Sequence, residues 1–186
     1  MSSKKNTNNT KNKNSTTNKN TFIKKKKYQT ITTQNFLTSE TLTPLRSPGG
    51  SYNVTLVKNS STQGVRKAKN FTLQISTNYQ ISNPPYGPDP IYGTGPISFA
   101  LVYCPCNQNS LNIQSSSSVN SLFYPIPKNV IISGLLTFDN VSVFKSDLAR
   151  NLSAGDSIQL VLFNSSGFTI NNPLIAVSLN YAIAFN

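Results

Sequence analysis

From residue 28 onward the apolar residues recur at every second position, and that periodicity commits the body of the chain to β-sheet. The clearest run lies near the C-terminus. Ile175, Val177, Leu179, Tyr181, Ile183 and Phe185 alternate with Ala176, Ser178, Asn180, Ala182 and Ala184. Side chains of a strand point alternately to opposite faces, whereas one face of a helix repeats about every 3.6 residues. The small residues on the second face predict that this strand lies centrally in a sheet.

The same alternation, taken in order, predicts the other strands. Tyr28–Leu37 is Thr-rich and suits an edge. Pro44, Pro48, Gly49 and Gly50 mark a turn. Tyr52, Val54 and Leu56 form one half-buried strand, and Phe71, Leu73 and Ile75 another. Residues 78–96, rich in Pro, Gly and Tyr, read as a long ordered loop suited to contacts. Ile97–Cys104 is apolar on both faces and therefore central. Asn107–Asn120 reads as a polar surface loop and Ser121–Tyr124 as a short strand. Val130–Phe138 is a strand in which Gly134 marks a bulge or the close approach of another backbone. Val141–Phe144 is a short strand, and Lys145–Asp156 a polar connection in which Asp156 binds its own backbone amides. Ile158, Leu160 and Leu162 open the penultimate strand. No convincing helix is present. The fold class expected is all-β, an eight-stranded antiparallel jelly-roll sandwich over residues 28–186.

Residues 1–27 do not share the pattern. Lys4, Lys5, Lys11, Lys13, Lys19, Lys24, Lys25, Lys26 and Lys27 are embedded in Asn, Ser and Thr, with no acidic residue and one apolar pair, Phe22-Ile23. Nine of the chain's twelve units of net positive charge lie here. Such a segment cannot bury enough apolar surface to offset the entropy of ordering it. A disordered arm is expected, and a flexible polycation on a nearly neutral body suits a polyanion such as nucleic acid. A solubilising tail, or a nuclear-import signal at Lys24–Lys27, is the plainer alternative. Arg66, Lys67 and Lys69 are further candidates for nucleic-acid contact, with an ordinary solvated strand edge as the alternative.

Catalytic chemistry finds little support. The chain has no histidine, so triads and zinc-water mechanisms lack their usual base or ligand. Its five acids, Glu40, Asp89, Asp139, Asp147 and Asp156, are scattered, which disfavours paired carboxylates and calcium sites. Cys104 and Cys106 have one residue between them and too few partners for a metal, so free, passive thiols are expected. No enzyme activity, metal or cofactor is expected. No apolar run is long enough for a membrane span.

Four segments carry a family resemblance. They are Lys69-Asn70-Phe71-Thr72-Leu73, Ala100-Leu101-Val102-Tyr103-Cys104-Pro105, Pro127–Gly134 and Leu148–Ile158. In this order they resemble segments of the capsid proteins of circular, Rep-encoding single-stranded DNA viruses. The resemblance implies a single jelly roll, similar to satellite tobacco necrosis virus coat protein, that builds a shell of sixty copies. The family's arm is usually Arg-rich, whereas this one contains only Lys. Lysine lacks the bidentate fork of Arg, which favours non-specific neutralisation of phosphates.

The expectation is therefore a capsid protein, located in the virion and in the host nucleus during assembly. Its partners would be other copies of itself, a single-stranded DNA genome bound by the arm, and a host import factor reading Lys24–Lys27. Arg150 and Asp156 would fix the loop before the penultimate strand or a contact between subunits. Two alternatives stay open on sequence: a lectin-like β-sandwich binding module with a basic tail, and the coat protein of an RNA satellite virus. Charge alone does not separate RNA from DNA.

Overall fold

The structure is a computed structural model that describes residues 27–61, 64–81, 97–106, 108, 129–136, 140–165 and 169–185. The segments expected as the arm up to residue 26, most of the two long loops and the short strand at Ser121–Tyr124 lie outside these residues. Nine strands and one short helix follow in order: β1 (Gln29–Leu37), α1 (Thr43–Arg46), β2 (Ser51–Val57), β3 (Arg66–Ile81), β4 (Ile97–Cys104), β5 (Val130–Leu136), β6 (Val141–Ser146), β7 (Arg150–Leu152), β8 (Ser157–Asn164) and β9 (Ile170–Phe185).

One sheet has the order β1-β9-β3-β6, with β7 pairing onto β3, and the other β2-β8-β4-β5. All pairings are antiparallel. Successive strands change sheets except at β4–β5, which pair with each other in the second sheet, and at β6–β7, which both pair with β3 in the first. Two four-stranded sheets wound in this way make a jelly roll. The ninth strand is the addition. The connection 145–156 was expected to be irregular, but Arg150–Leu152 pairs with Arg66–Ala68. Three residues with one apolar side chain carry no periodicity of their own, so only the neighbouring strand makes them a strand.

The core lies between the sheets. Phe71, Leu73 and Ile75 of β3 and Ile175, Val177 and Leu179 of β9 form one wall, all at most 3% exposed. Ile97, Phe99 and Leu101 of β4 and Ile158, Leu160 and Leu162 of β8 belong to the same cluster and form the other wall. The turn marked by Pro44 and Gly50 contains α1, with Pro at its first turn and the fully buried Leu42 and Leu45 facing inward. Buried Asn164 clasps this turn, donating to the carbonyls of Arg46 and Ser47, while its backbone exchanges hydrogen bonds with Gly49 and Gly50. In β9, Pro173 sits where pairing with β3 is interrupted, the position in a ladder at which its missing N–H costs least.

Gly134 is neither a bulge nor a contact with backbone. It stands opposite Phe99 across β4–β5, and a Cβ there would lie 2.9 Å from the Phe99 ring and 3.3 Å from that of Phe144. Those two rings pack 4.5 Å apart between centroids over the space that the glycine leaves.

Candidate nucleic-acid interface

β9 joins the two basic regions that the sequence keeps apart. Gln29 at the start of β1 and Ala68 near the start of β3 are both opposite Ile183, one on each side. Lys27, two residues before β1, therefore leaves the sheet at the end where β3 begins with Arg66, Lys67 and Lys69. The ring of Tyr28 lies under the Lys69 ammonium, 4.1 Å from centroid to Nζ, in a cation–π contact.

A bulge decides which way these cations point. Counting back from buried Phe71 by simple alternation would turn Lys69 and Lys67 toward the core. Between Lys69 and Thr72 the register with β9 shifts, and Asn70 takes φ 56° in the left-handed region that Asn tolerates. The inserted residue reverses the parity. Ala68 is buried, while Lys67 and Lys69 lie opposite Ala184 and Ala182 on the outer face of the sheet.

Lys145 joins them there, exposed and opposite Thr72. Lys145, expected in the polar connection after Phe144, instead continues the outward alternation of Val141 and Val143 within β6. Farther along the face lie amides and hydroxyls. Thr32 donates to the Asn180 side chain across β1–β9, and Gln34, Ser178 and Gln74 form the next row. At the far end Phe36, Val141 and Val143 are exposed. Among the described residues, none of the nine strands contains an Asp or Glu, so no described strand residue opposes the cations.

Arg66 points to the other side. Its guanidinium donates to the carbonyls of Lys58 (3.3 Å) and Asp156 (3.4 Å), tying the end of β2 to the turn before β8. Arg150 donates to the Val130 carbonyl at 3.2 Å, so it fixes β7 against the start of β5. Asp156 behaves as the sequence foretold and goes further. Its carboxylate accepts from the Ser153 amide (2.7 Å), the Cys106 amide (2.9 Å) and the Tyr103 hydroxyl (2.7 Å). Burial, then the hydrogen bond to this carboxylate, pushes the Tyr103 hydroxyl up to about 12. Cys104 closes β4 in a buried position that raises its thiol to about 11, and Cys106 is exposed; both are free.

Of the candidates named from sequence, Lys67 and Lys69 lie at one end of one face with Lys145, Lys27 leaves the sheet at that same end, and Arg66 holds the strand ends behind them. Lys4, Lys5, Lys11, Lys13, Lys19, Lys24, Lys25 and Lys26 lie outside the described residues.

No family model matches the chain, and no curated protein does. Among solved structures, a chain of infectious bursal disease virus Gx strain is 12% identical with a TM-score of 0.34; the match covers 88% of this chain and 36% of that one. The 60-mer BFDV capsid protein is 9% identical with a TM-score of 0.36, over 87% of this chain and 95% of that one. A Bacillus endospore appendage that forms disulfide-linked pili is 8% identical with a TM-score of 0.30, over 84% and 89%. Viral capsid proteins are thus among the structural neighbours, beside a pilus protein, and likenesses this distant carry no argument about function.

Proposed function

We propose that the chain is a viral capsid protein whose jelly-roll body assembles with copies of itself into a small icosahedral shell and whose arm packages single-stranded DNA. The observation that carries this reading is the shared exit: the nine-lysine segment precedes β1 at the end of the sheet where Lys67, Lys69 and Lys145 face outward, and none of the described strands bears a carboxylate. The four segments quoted above support the choice of a DNA virus over an RNA satellite.

The arm works by counterion release, lysines replacing the small cations condensed on phosphates without regard to base sequence. Lys24–Lys27 serve import into the nucleus before assembly. Sixty arms would neutralise on the order of 500 phosphates, so a genome of more than about a thousand nucleotides retains small counterions and its packaging is salt-sensitive. Arg66 serves by holding the ends of β2, β3 and the turn before β8 together, which keeps Lys67 and Lys69 in place.

The test compares the full chain with a form lacking residues 2–27 and with one in which the nine arm lysines are glutamine. Both variants fold, bind single strands far more weakly, and show a salt dependence flatter by up to about six logarithmic units per decade. Negative-stain microscopy shows uniform shells for the full chain, and nuclease sensitivity of their contents identifies DNA. A persistent 20.3 kDa monomer would overturn the capsid reading. A truncated body with an unchanged salt slope would remove the arm as the binding element.

A further inference from the structure

The outer face of the β1-β9-β3-β6 sheet offers more than charge. The geometry points to a second binding element on it, a lane for single-stranded nucleic acid with phosphates held at the Lys67, Lys69 and Lys145 end and a base stacked on Phe36 at the other. This inference rests on the reading of the chain as a nucleic-acid-packaging protein, and it assigns a base-contacting residue that charge alone does not.

The lane runs along β9 from Ala182, beside Lys69, to Ala176, beside Phe36. Six residues of strand span about 20 Å, or about six nucleotides at the roughly 3.4 Å rise of a stacked strand. At its far end Phe36 is 67% exposed, and Val141 and Val143 are each 55% exposed. An aromatic ring normally withdraws from water as one of the largest apolar contributions a residue can make. Phe36 and Val141 stand on the two outermost strands of the row, and between them lie only Ala176 and Ser76. Beside Phe36, over Ala176 and Ser76, lies an open trough of about 510 Å³. At about 4.8 Å per strand, Phe36 and Val141 are roughly 14 Å apart at the backbone, which leaves room for a flat base beside the ring. Gln34, Gln74 and Ser178 line the approach, with donors and acceptors for base edges and no carboxylate.

The occupant follows from charge. A second copy of this chain would bring no carboxylate on any of the nine described strands to meet three lysines. A single strand brings phosphates for the cations and an aromatic face for Phe36 at the same repeat. Base–aromatic stacking tolerates every base, so the lane suits a packaged genome of arbitrary sequence.

The experiment uses the full-length protein and two probes of equal length, a thymidine oligonucleotide and an abasic deoxyribose-phosphate strand with the same phosphates. Wild type prefers the thymidine strand. Phe36→Ala weakens thymidine binding roughly 5- to 100-fold, leaves abasic binding unchanged and so abolishes the preference. Phe36→Trp retains it, which separates a lost stack from a damaged fold. Replacing Lys67, Lys69 and Lys145 with glutamine weakens both probes by the same factor. If wild type binds both probes equally, or Phe36→Ala keeps the preference, the lane is overturned while the arm reading stands. If Phe36→Ala leaves both affinities intact but dissolves shells in light scattering, the patch is a contact between copies instead. If wild type binds neither probe, the packaging reading itself fails.

Discussion

The two sheets share one core but treat their second faces oppositely. In the β1-β9-β3-β6 sheet the burial of β1 and β6 alternates along the strand, and the outer rows carry Thr, Gln, Ser and Lys. In the β2-β8-β4-β5 sheet the central strands β4 and β8 are buried at nearly every position. Ala100, Val102, Cys104 and Val161 form a separate apolar cluster on its outer side. One sheet is built as a wall and the other keeps a working surface. The same pleat serves both, because alternation leaves the second face free to be either.

The largest expected effect tests how that surface is kept outward. Inserting a Thr between Lys69 and Asn70 shifts the parity once more and turns Lys67 and Lys69 toward the core, which should cost more than about 4 kcal/mol or abolish folding. Deleting Asn70, by contrast, leaves a regular ladder with both lysines outward and should be tolerated far better. Asn70→Gly, which adopts the same φ freely, should unfold in urea close to wild type. An insertion that proves mild, or a deletion as damaging as the insertion, would show that the parity of β3 is not set at the bulge.

Next, a charge placed on the second face of each sheet reads the contrast directly. Val102→Asp, at a fully buried site, should lose about 3–5 kcal/mol, whereas Gln74→Asp should stay within about 0.5 kcal/mol. Equal losses in denaturant titrations would erase the distinction between wall and surface. Gly134→Ala comes third. Its new methyl must displace the Phe99 and Phe144 rings that bridge the sheets, at about 1–3 kcal/mol in thermal unfolding.

The smallest effect is confined to alkaline pH. Tyr103 is raised from 10.0 to about 12 in the fold. Its contribution is therefore complete below pH 10 and is lost as pH rises toward 12. Tyr103→Phe should flatten the decline of stability across that window without removing it, because buried Cys104 and Tyr181 are also raised. An unchanged slope would mean that burial and the Asp156 contact do not raise the Tyr103 hydroxyl.

The sheets were legible in the sequence wherever one face is apolar. β9 and residues 71–75 of β3 follow their alternation, and the apolar run of Ile97–Cys104 matches a strand buried on both sides. The features that escaped depend on partners rather than on local pattern. β7 exists only through its pairing with β3, and Gly134 is small because two rings from other strands need its space. At the candidate site, the cations were visible as residues, but their directions were not. A single Asn at positive φ separates Lys67 and Lys69 from the face that periodicity assigns them, and Arg66 faces the strand ends for the same reason of parity. Lys145 could have been found by extending β6 by one residue.

The place of β9 between β1 and β3 also orders events during synthesis. Until β9 has left the ribosome, β1 has no strand beside it and β3 lacks its longest partner. Two open edges then wait for a strand encoded more than 130 positions after the first. Closure of so distant a pairing is slow, and open edges invite pairing with other chains. A chain interrupted before residue 170 would carry the lysine segment but no closed first sheet. Completion of β9 is thus the step that closes the first sheet, because only then are β1 and β3 joined through a common neighbour.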